Sequence, residues 1–187
     1  MGGVKRPRRT RPAPAARAAH ARSLASDRPV RCAVLTVSDT RRGRDDTGGA
    51  AAEAAIESAG HAVIARAWCG DERASIRRAV RALLARRDLD TLVVTGGTGV
   101  APRDVTPEAI APLFERPLPG FGEIFRMLSF LEIGPAAWLS RADAGIVRGR
   151  LVVLLPGSPA AVALALERVL LPELAHVMRT LGRLSIP

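Results

Sequence analysis

The sequence predicts an α/β fold: a mostly parallel sheet with one antiparallel strand, covered on both faces by helices as a three-layer αβα sandwich. Three observations carry this expectation. From Val30 onward, short apolar runs alternate with helical stretches, the order that gives a parallel sheet with crossover helices. The runs "VRCAVLTVS" (30–38) and "TLVVT" (91–95) are near-continuous and β-branched, as strands covered on both faces are. Finally, "AGIV-RG-RLVVLL" reads as two strands joined by a two-residue turn, and a hairpin brings one antiparallel strand into the sheet.

The elements follow in order. "GGAAAEAAIESAG" (48–60) has helical character and ends on a glycine. "HAVIARAW" (61–68) alternates weakly, as a less buried strand would. "ERASIRRAVRALLARR" (72–87) puts Ile76, Val80, Leu83 and Leu84 on one helical face and arginines on the other. A Thr-Pro-Glu helix start at 106–108 predicts Thr106 as N-cap with Pro107 in the first turn. A further helix is expected around "FGEIFRMLSFLEIG". The last helix begins near Ala160 with Ser158 as cap, and Pro172 should kink it.

Of the 187 residues, those from 30 to 187 form one domain in this reading, and residues 1–29 an Arg/Ala/Pro-rich tail. The net charge of +10 is concentrated there: the tail carries +7 and the rest +3. With little to bury, the tail reads as disordered. It is open to interpretation as an arm touching nucleic acid or membrane, a targeting segment, or a dispensable extension. No apolar run approaches the roughly 18 residues a membrane span needs, and the start lacks a secretory apolar core. The expectation is therefore a cytoplasmic protein. Cys32 and Cys69 stand outside any CxxC pair, which makes a zinc site an unpromising reading.

Four loops leave the C-terminal ends of strands on one rim, where open α/β sheets bind ligands. They are "SDTRRGRDDTGG" (38–49), "CGDE" (69–72), "TGGTGVAPRD" (95–104) and "PGSP" (156–159). All are rich in glycine, small hydroxyls or aspartate. The "GGTG" segment is neither of the common phosphate loops. Val100 and Ala101 stand where a Walker A loop needs Lys then Ser or Thr, and Pro102 stands where a dinucleotide fingerprint needs glycine. What its glycines do permit is a run of N–H groups converging on an anion. Asp46, Asp71 and Asp104 follow different strands and could meet at the rim. Beside phosphate-holding amides they suggest Mg²⁺, although a loop aspartate taken singly more often folds back onto nearby amides as an Asx turn. None of the histidines (His20, His61, His176) falls in a rim loop and there is no tyrosine. Positioning plus metal remains, and phosphoryl or nucleotidyl transfer requires little else.

"TVSDT" (36–40), "TGGTG…PRDVTPEA" (95–109), "PGFGE" (119–123), "LSRADAGI" (139–146) and "LPGSP" (155–159) closely resemble the molybdopterin adenylyltransferase (MoaB/Mog) family of molybdenum cofactor biosynthesis. The likeness runs collinearly over roughly residues 30–181. It implies the molybdopterin-binding fold of that family, assembly as trimers or pairs of trimers, and transfer of AMP from Mg-ATP to molybdopterin with release of pyrophosphate. It also implies a partner enzyme that inserts the metal. By the same resemblance, Asp71 and Asp104 match the family's catalytic aspartates, and Asp46 with Asp104 its metal region. Ser38, Asp39, Gly96, Gly97, Thr98 and Gly99 would hold the nucleotide, while Ser140, Arg141, Pro156, Gly157 and Ser158 would face the pterin. Where family members often have proline before the aspartate matched by Asp71, this chain has Gly70. Two further readings stand beside the enzyme: a pterin-binding MoaB-like protein without catalysis, and a nucleic-acid-associated protein acting through the basic tail.

Overall fold

The structure is a computed structural model that describes residues 28–185; the expectations for residues 1–27 of the tail lie outside the described residues. Six strands form one sheet: β1 (Arg31–Val37), β2 (Ala62–Cys69), β3 (Thr91–Thr95), β4 (Arg116–Pro117), β5 (Asp143–Val147) and β6 (Arg150–Leu155). Their spatial order is β2-β1-β3-β6-β5-β4. The first four of these run parallel, and β5 is antiparallel to both its neighbours, the single reversed strand that the hairpin predicted. Arg148 and Gly149 both have positive φ (51° and 69°), the backbone of a type I′ turn.

Helices cover both faces: α1 (Thr47–Ser58), α2 (Arg73–Leu84), α3 (Thr106–Ile110), α4 (Pro119–Ile133), α5 (Pro159–Ala165) and α6 (Leu174–Thr180). The period of two along each strand divides the core. Cys32, Val34, Val93, Val153 and Leu155 pack with α1, α4, α5 and α6, whereas Ala33, Leu35, Leu92, Val94 and Leu154 pack with α2 and α3. That division explains the continuous apolar runs: in β3 all five residues are buried. By contrast β2, an edge strand, is only part-buried along most of its length. Between α5 and α6 the chain passes through a π turn (Leu166–Leu170) and a 3-10 turn (Leu171–Glu173) containing Pro172, so the expected kink is a change of helix type.

Ser158 caps α5 as expected, its Oγ accepting from Ala161 N at 3.3 Å. Thr106 does not cap α3. Val105 holds the N-cap position with no side-chain cap, and the Thr106 hydroxyl donates instead to Gly96 O at 2.9 Å. A buried hydroxyl facing a glycine-loop carbonyl gains more by closing that loop than by capping a five-residue helix.

The end of the sheet away from the rim is held by Asp90, a residue in no motif of the sequence. Its side chain is fully buried and receives Arg28 (2.7 Å), the Arg31 guanidinium (3.3 Å) and Arg183 (3.1 Å). Arg28, counted with the tail in the sequence reading, therefore belongs to the folded body. It also donates to Arg183 O at 2.9 Å, so one carboxylate ties the start of the domain, β1 and the C-terminal segment together. Burial alone would push the Asp90 carboxyl up, but hydrogen bonds from Arg28 and Arg31 hold it well below the usual carboxylate range. A depressed folded pKa means that this stabilisation is present above the unfolded value of about 4 and is lost as pH falls through the folded one. Asp90→Asn should cost about 2–4 kcal/mol at neutral pH, at or below the range for a wholly buried pair because the arginines keep partial contact with water. Urea unfolding from pH 7 to pH 2 should show the wild type converging on the variant at the acid end.

Candidate active site

All four rim loops meet at one cleft of about 260 Å³ lined mainly by polar groups, from Ser38 and Arg41 on the first loop to Gly157 on the last. Strand ends supply its floor through Thr36 and Thr95, both buried. Of the residues expected at the site, Ser38, Asp46, Asp71, Gly96, Gly97, Asp104 and Gly157 line this cleft.

The glycine loop is held from behind. The carbonyls of Gly96, Gly97, Thr98 and Gly99 all accept hydrogen bonds, respectively from Thr106 Oγ1 (2.9 Å), Thr106 N (3.0 Å), Arg141 N (2.9 Å) and Arg141 Nε (2.8 Å). A trans peptide carries its C=O and N–H on opposite sides. The N–H groups of Gly97, Thr98 and Gly99 therefore point away from these partners, which is the arrangement an anion needs. Gly96 itself has φ 97°, and a Cβ there would run into the Val37 carbonyl. Across the cleft, a Cβ on Gly48 would sit 2.5 Å from Gly157 O. Glycine at these two points lets the loops approach backbone to backbone.

The acids occupy different situations. Asp39 and Asp71 clasp each other: Asp39 N donates to Asp71 Oδ2 (2.8 Å) and Asp71 N to Asp39 Oδ1 (3.0 Å), and Arg103 pairs with Asp39. Burial, and then the nearby charges of Asp39 and Asp104, push the Asp71 carboxyl up against the pull of the Asp39 N–H. The Asp39 carboxyl is held low, first by the Asp71 N–H and then by Arg103. Asp104 accepts from Ala101 N at 2.9 Å through Oδ2, a contact back onto the loop three residues earlier that fixes the carboxylate beside it. Asp46 is the N-cap of α1, accepting from Gly49 N (2.8 Å), from Thr36 Oγ1 (2.8 Å) and from Arg66. Among the described residues there is no group of three or more His, Cys, Asp or Glu side chains arranged to hold a metal. Asp71 and Asp104 both line the cleft, so an Mg²⁺ held there would have to take most of its oxygens from substrate phosphates and water. Asp46, already serving three donors, fits a ligand role less well.

Other expected residues lie around the cleft rather than in it. Thr98 is buried within the loop, and Pro156 and Ser158 flank Gly157. Ser140 and Arg141 lie on the far side of the glycine loop. Arg141 is spent there, reaching Gly99 O, Asp104 O and the Glu108 carboxylate. This makes it a strap across residues 98–108. Sequence reasoning missed Arg41, which crosses the cleft to donate to Gly157 O at 3.3 Å, and Thr36, the partner of Asp46. Both lie within stretches already singled out, and a cation facing glycine loops was the available signal for Arg41. Burial pushes the Cys32 and Cys69 thiols up to about 12 and about 11, so neither supplies a thiolate nucleophile.

Comparison with known proteins identifies relatives of this chain. Residues 33–176 match the family described as a probable molybdopterin binding domain. A molybdenum cofactor biosynthesis protein B from Bacillus subtilis is 49% identical over 155 residues, covering 82% of this chain and 91% of its own. The crystal structure of a molybdenum cofactor biosynthesis protein B superposes with a TM-score of 0.82 at 41% identity, covering 85% of this chain and 99% of that one. That of the tungsten cofactor synthesizing protein MoaB from Pyrococcus furiosus gives 0.75 at 34%, covering 83% and 98%. The chain belongs to the MoaB family of molybdenum cofactor biosynthesis proteins, within the MoaB/Mog fold.

Proposed function

We propose that this protein adenylylates molybdopterin, using Mg-ATP and releasing pyrophosphate. The observation that carries the reading is the glycine loop with four consecutive carbonyls held from behind and its amides turned away from those partners, next to Asp104 and Asp71. Such a loop suits phosphate oxygens, and the two carboxylates are the groups that would help hold a divalent cation beside them.

In this mechanism a terminal phosphate oxygen of molybdopterin attacks the α-phosphorus of ATP. The new O–P bond forms as the bond from the α-phosphorus to the bridging oxygen breaks, and the electron pair leaves with pyrophosphate. No general base is needed, because the attacking phosphate is already ionised near neutral pH. Mg²⁺, when bound, offsets charge on the transferring and leaving oxygens. The chain's own contribution is positional. The amides of residues 97–99 hold phosphate oxygens, Arg41 adds a cation at the Gly157 side, and Arg141 keeps the segment that presents Asp104 from shifting.

The partner expectations join this proposal. Ile124, Met127, Phe130, Leu131 and Ile133 of α4, with Trp138 just beyond it, are large apolar side chains left exposed, Leu131 by 76% and Trp138 by 74%. An apolar face of this kind is uncommon on a monomer and supports self-association into the expected trimer. Sedimentation should give three chains or a multiple of three, and Leu131→Asp should shift the protein to single chains. The product would pass to the metal-inserting partner. Among the described residues no helix is long and apolar enough to cross a membrane.

Asp104→Asn keeps the size and the Ala101 contact but removes the charge. It should lower the adenylylation rate at least about 100-fold, the scale of losing a principal electrostatic group, with unfolding unchanged within about 1 kcal/mol. Full activity in this variant would rule out the role given to Asp104.

A further inference from the structure

Beside the phosphate cleft, and sharing Asp46 with it, lies a second hollow of about 350 Å³ lined by Gly43, Asp46, Arg66, Ala67 and Trp68. The phosphate cleft is polar and, at about 260 Å³, falls below the usual range of roughly 300–1,000 Å³ for sites that enclose a whole small molecule. It suits the phosphate part of a ligand and leaves the rest without a seat; the two hollows together come within that range.

The second hollow offers what the first lacks. Trp68, near the end of β2, presents its ring beside the first rim loop, and the Arg42 guanidinium lies over that ring at 3.3 Å from its centroid. The positive φ of Gly43 (57°) and the short 3-10 turn at Gly43–Asp45 carry the loop over the strand. The indole Nε1 is buried without a hydrogen-bond partner among the described residues. A tryptophan kept for structure alone usually has that donor satisfied. Arg66, on the same side of β2, is fixed by Asp46 and Glu53, so one wall of the hollow is rigid while Arg42, on an exposed loop, is free of such pairing to a carboxylate among the described residues.

We propose that Trp68 is the stacking platform for the fused nitrogen heterocycle of the phosphorylated substrate, with Arg42 occupying the ring face until the heterocycle replaces it. A planar guanidinium and a planar heterocycle use the same face of an indole. Displaced from the ring, Arg42 would remain beside Arg41, which already reaches Gly157 O at the phosphate cleft. The proposal rests on the nucleotide-transfer reading, and it adds a ring subsite to a site otherwise built for phosphate.

Two heterocycles fit this chemistry, adenine and a pterin, and the test separates them. In a Trp138→Phe background Trp68 is the remaining tryptophan, so its fluorescence reports the ring directly. ATP, a pterin monophosphate and inorganic tripolyphosphate are titrated in turn with Mg²⁺, and affinities are also taken by calorimetry. Quenching by ATP places adenine on Trp68; quenching by the pterin monophosphate alone places the pterin there; tripolyphosphate should bind without quenching. Trp68→Ala should weaken the quenching ligand by about five-fold to roughly 100-fold, the effect of one stacked base. It should leave tripolyphosphate affinity unchanged, and Trp68→Phe should restore most of the loss. Ring-containing ligands that bind without quenching, and equally well to Trp68→Ala, would overturn the ring subsite and leave the phosphate reading intact. Failure of tripolyphosphate and ATP alike to bind the unaltered protein would overturn both.

Discussion

The candidate site depends on one constraint: four loops must approach one another backbone to backbone at the end of the sheet. Gly96 lies against the Val37 carbonyl and Gly48 against Gly157. At both points even a methyl group would force the loops apart. Behind this close approach the carbonyls of residues 96–99 are taken up by Thr106 and Arg141, which leaves the amides of residues 97–99 on the opposite side for an anion. The chemistry is thus a consequence of packing. The parallel sheet delivers the strand ends to one rim, and the glycines set how tightly the loops that follow can close.

Charge completes what packing begins. Asp39 and Asp71 join two loops through each other's amides, and Asp46 joins a helix start to two strands through Thr36 and Arg66. Asp39 and Asp46 thereby serve the scaffold. Asp104 and Asp71, with like charge nearby and a raised pKa at Asp71, are the ones whose mutual repulsion a cation would relieve. At the opposite end, Asp90 gathers three arginines and fixes the two ends of the domain. The rim therefore need not supply stability on its own.

Much of this was legible in the sequence. Continuous β-branched runs marked β1 and β3 because strands buried on both faces have no polar side to show. The Arg148–Gly149 pair marked the hairpin because a type I′ turn requires positive φ at both positions. The four rim loops were legible through the composition of each and the topology that unites them. What escaped were features set by partners distant in the chain. Thr106 has the local signature of a cap, but Gly96 O competes for its hydroxyl and wins. Arg141 resembled a ligand-facing residue until the glycine-loop carbonyls came into view behind it. Asp90 meets Arg28 and Arg183 from opposite ends of the chain. A two-residue strand such as β4 has no periodicity to read, and Trp68 gave no pattern until Arg42 was placed over it.

Transfer of AMP moves the α-phosphoryl group of ATP onto the pterin, so the fate of labelled phosphorus reports it. The protein is incubated with molybdopterin, Mg²⁺ and ATP labelled at either the α- or the γ-phosphate. The α-label should appear on the pterin and the γ-label in pyrophosphate, in equal amounts. Absence of α-label from the pterin, under conditions in which an adenylylating member of the family transfers it, would rule out adenylylation and favour a MoaB-like protein that binds the pterin without reacting it.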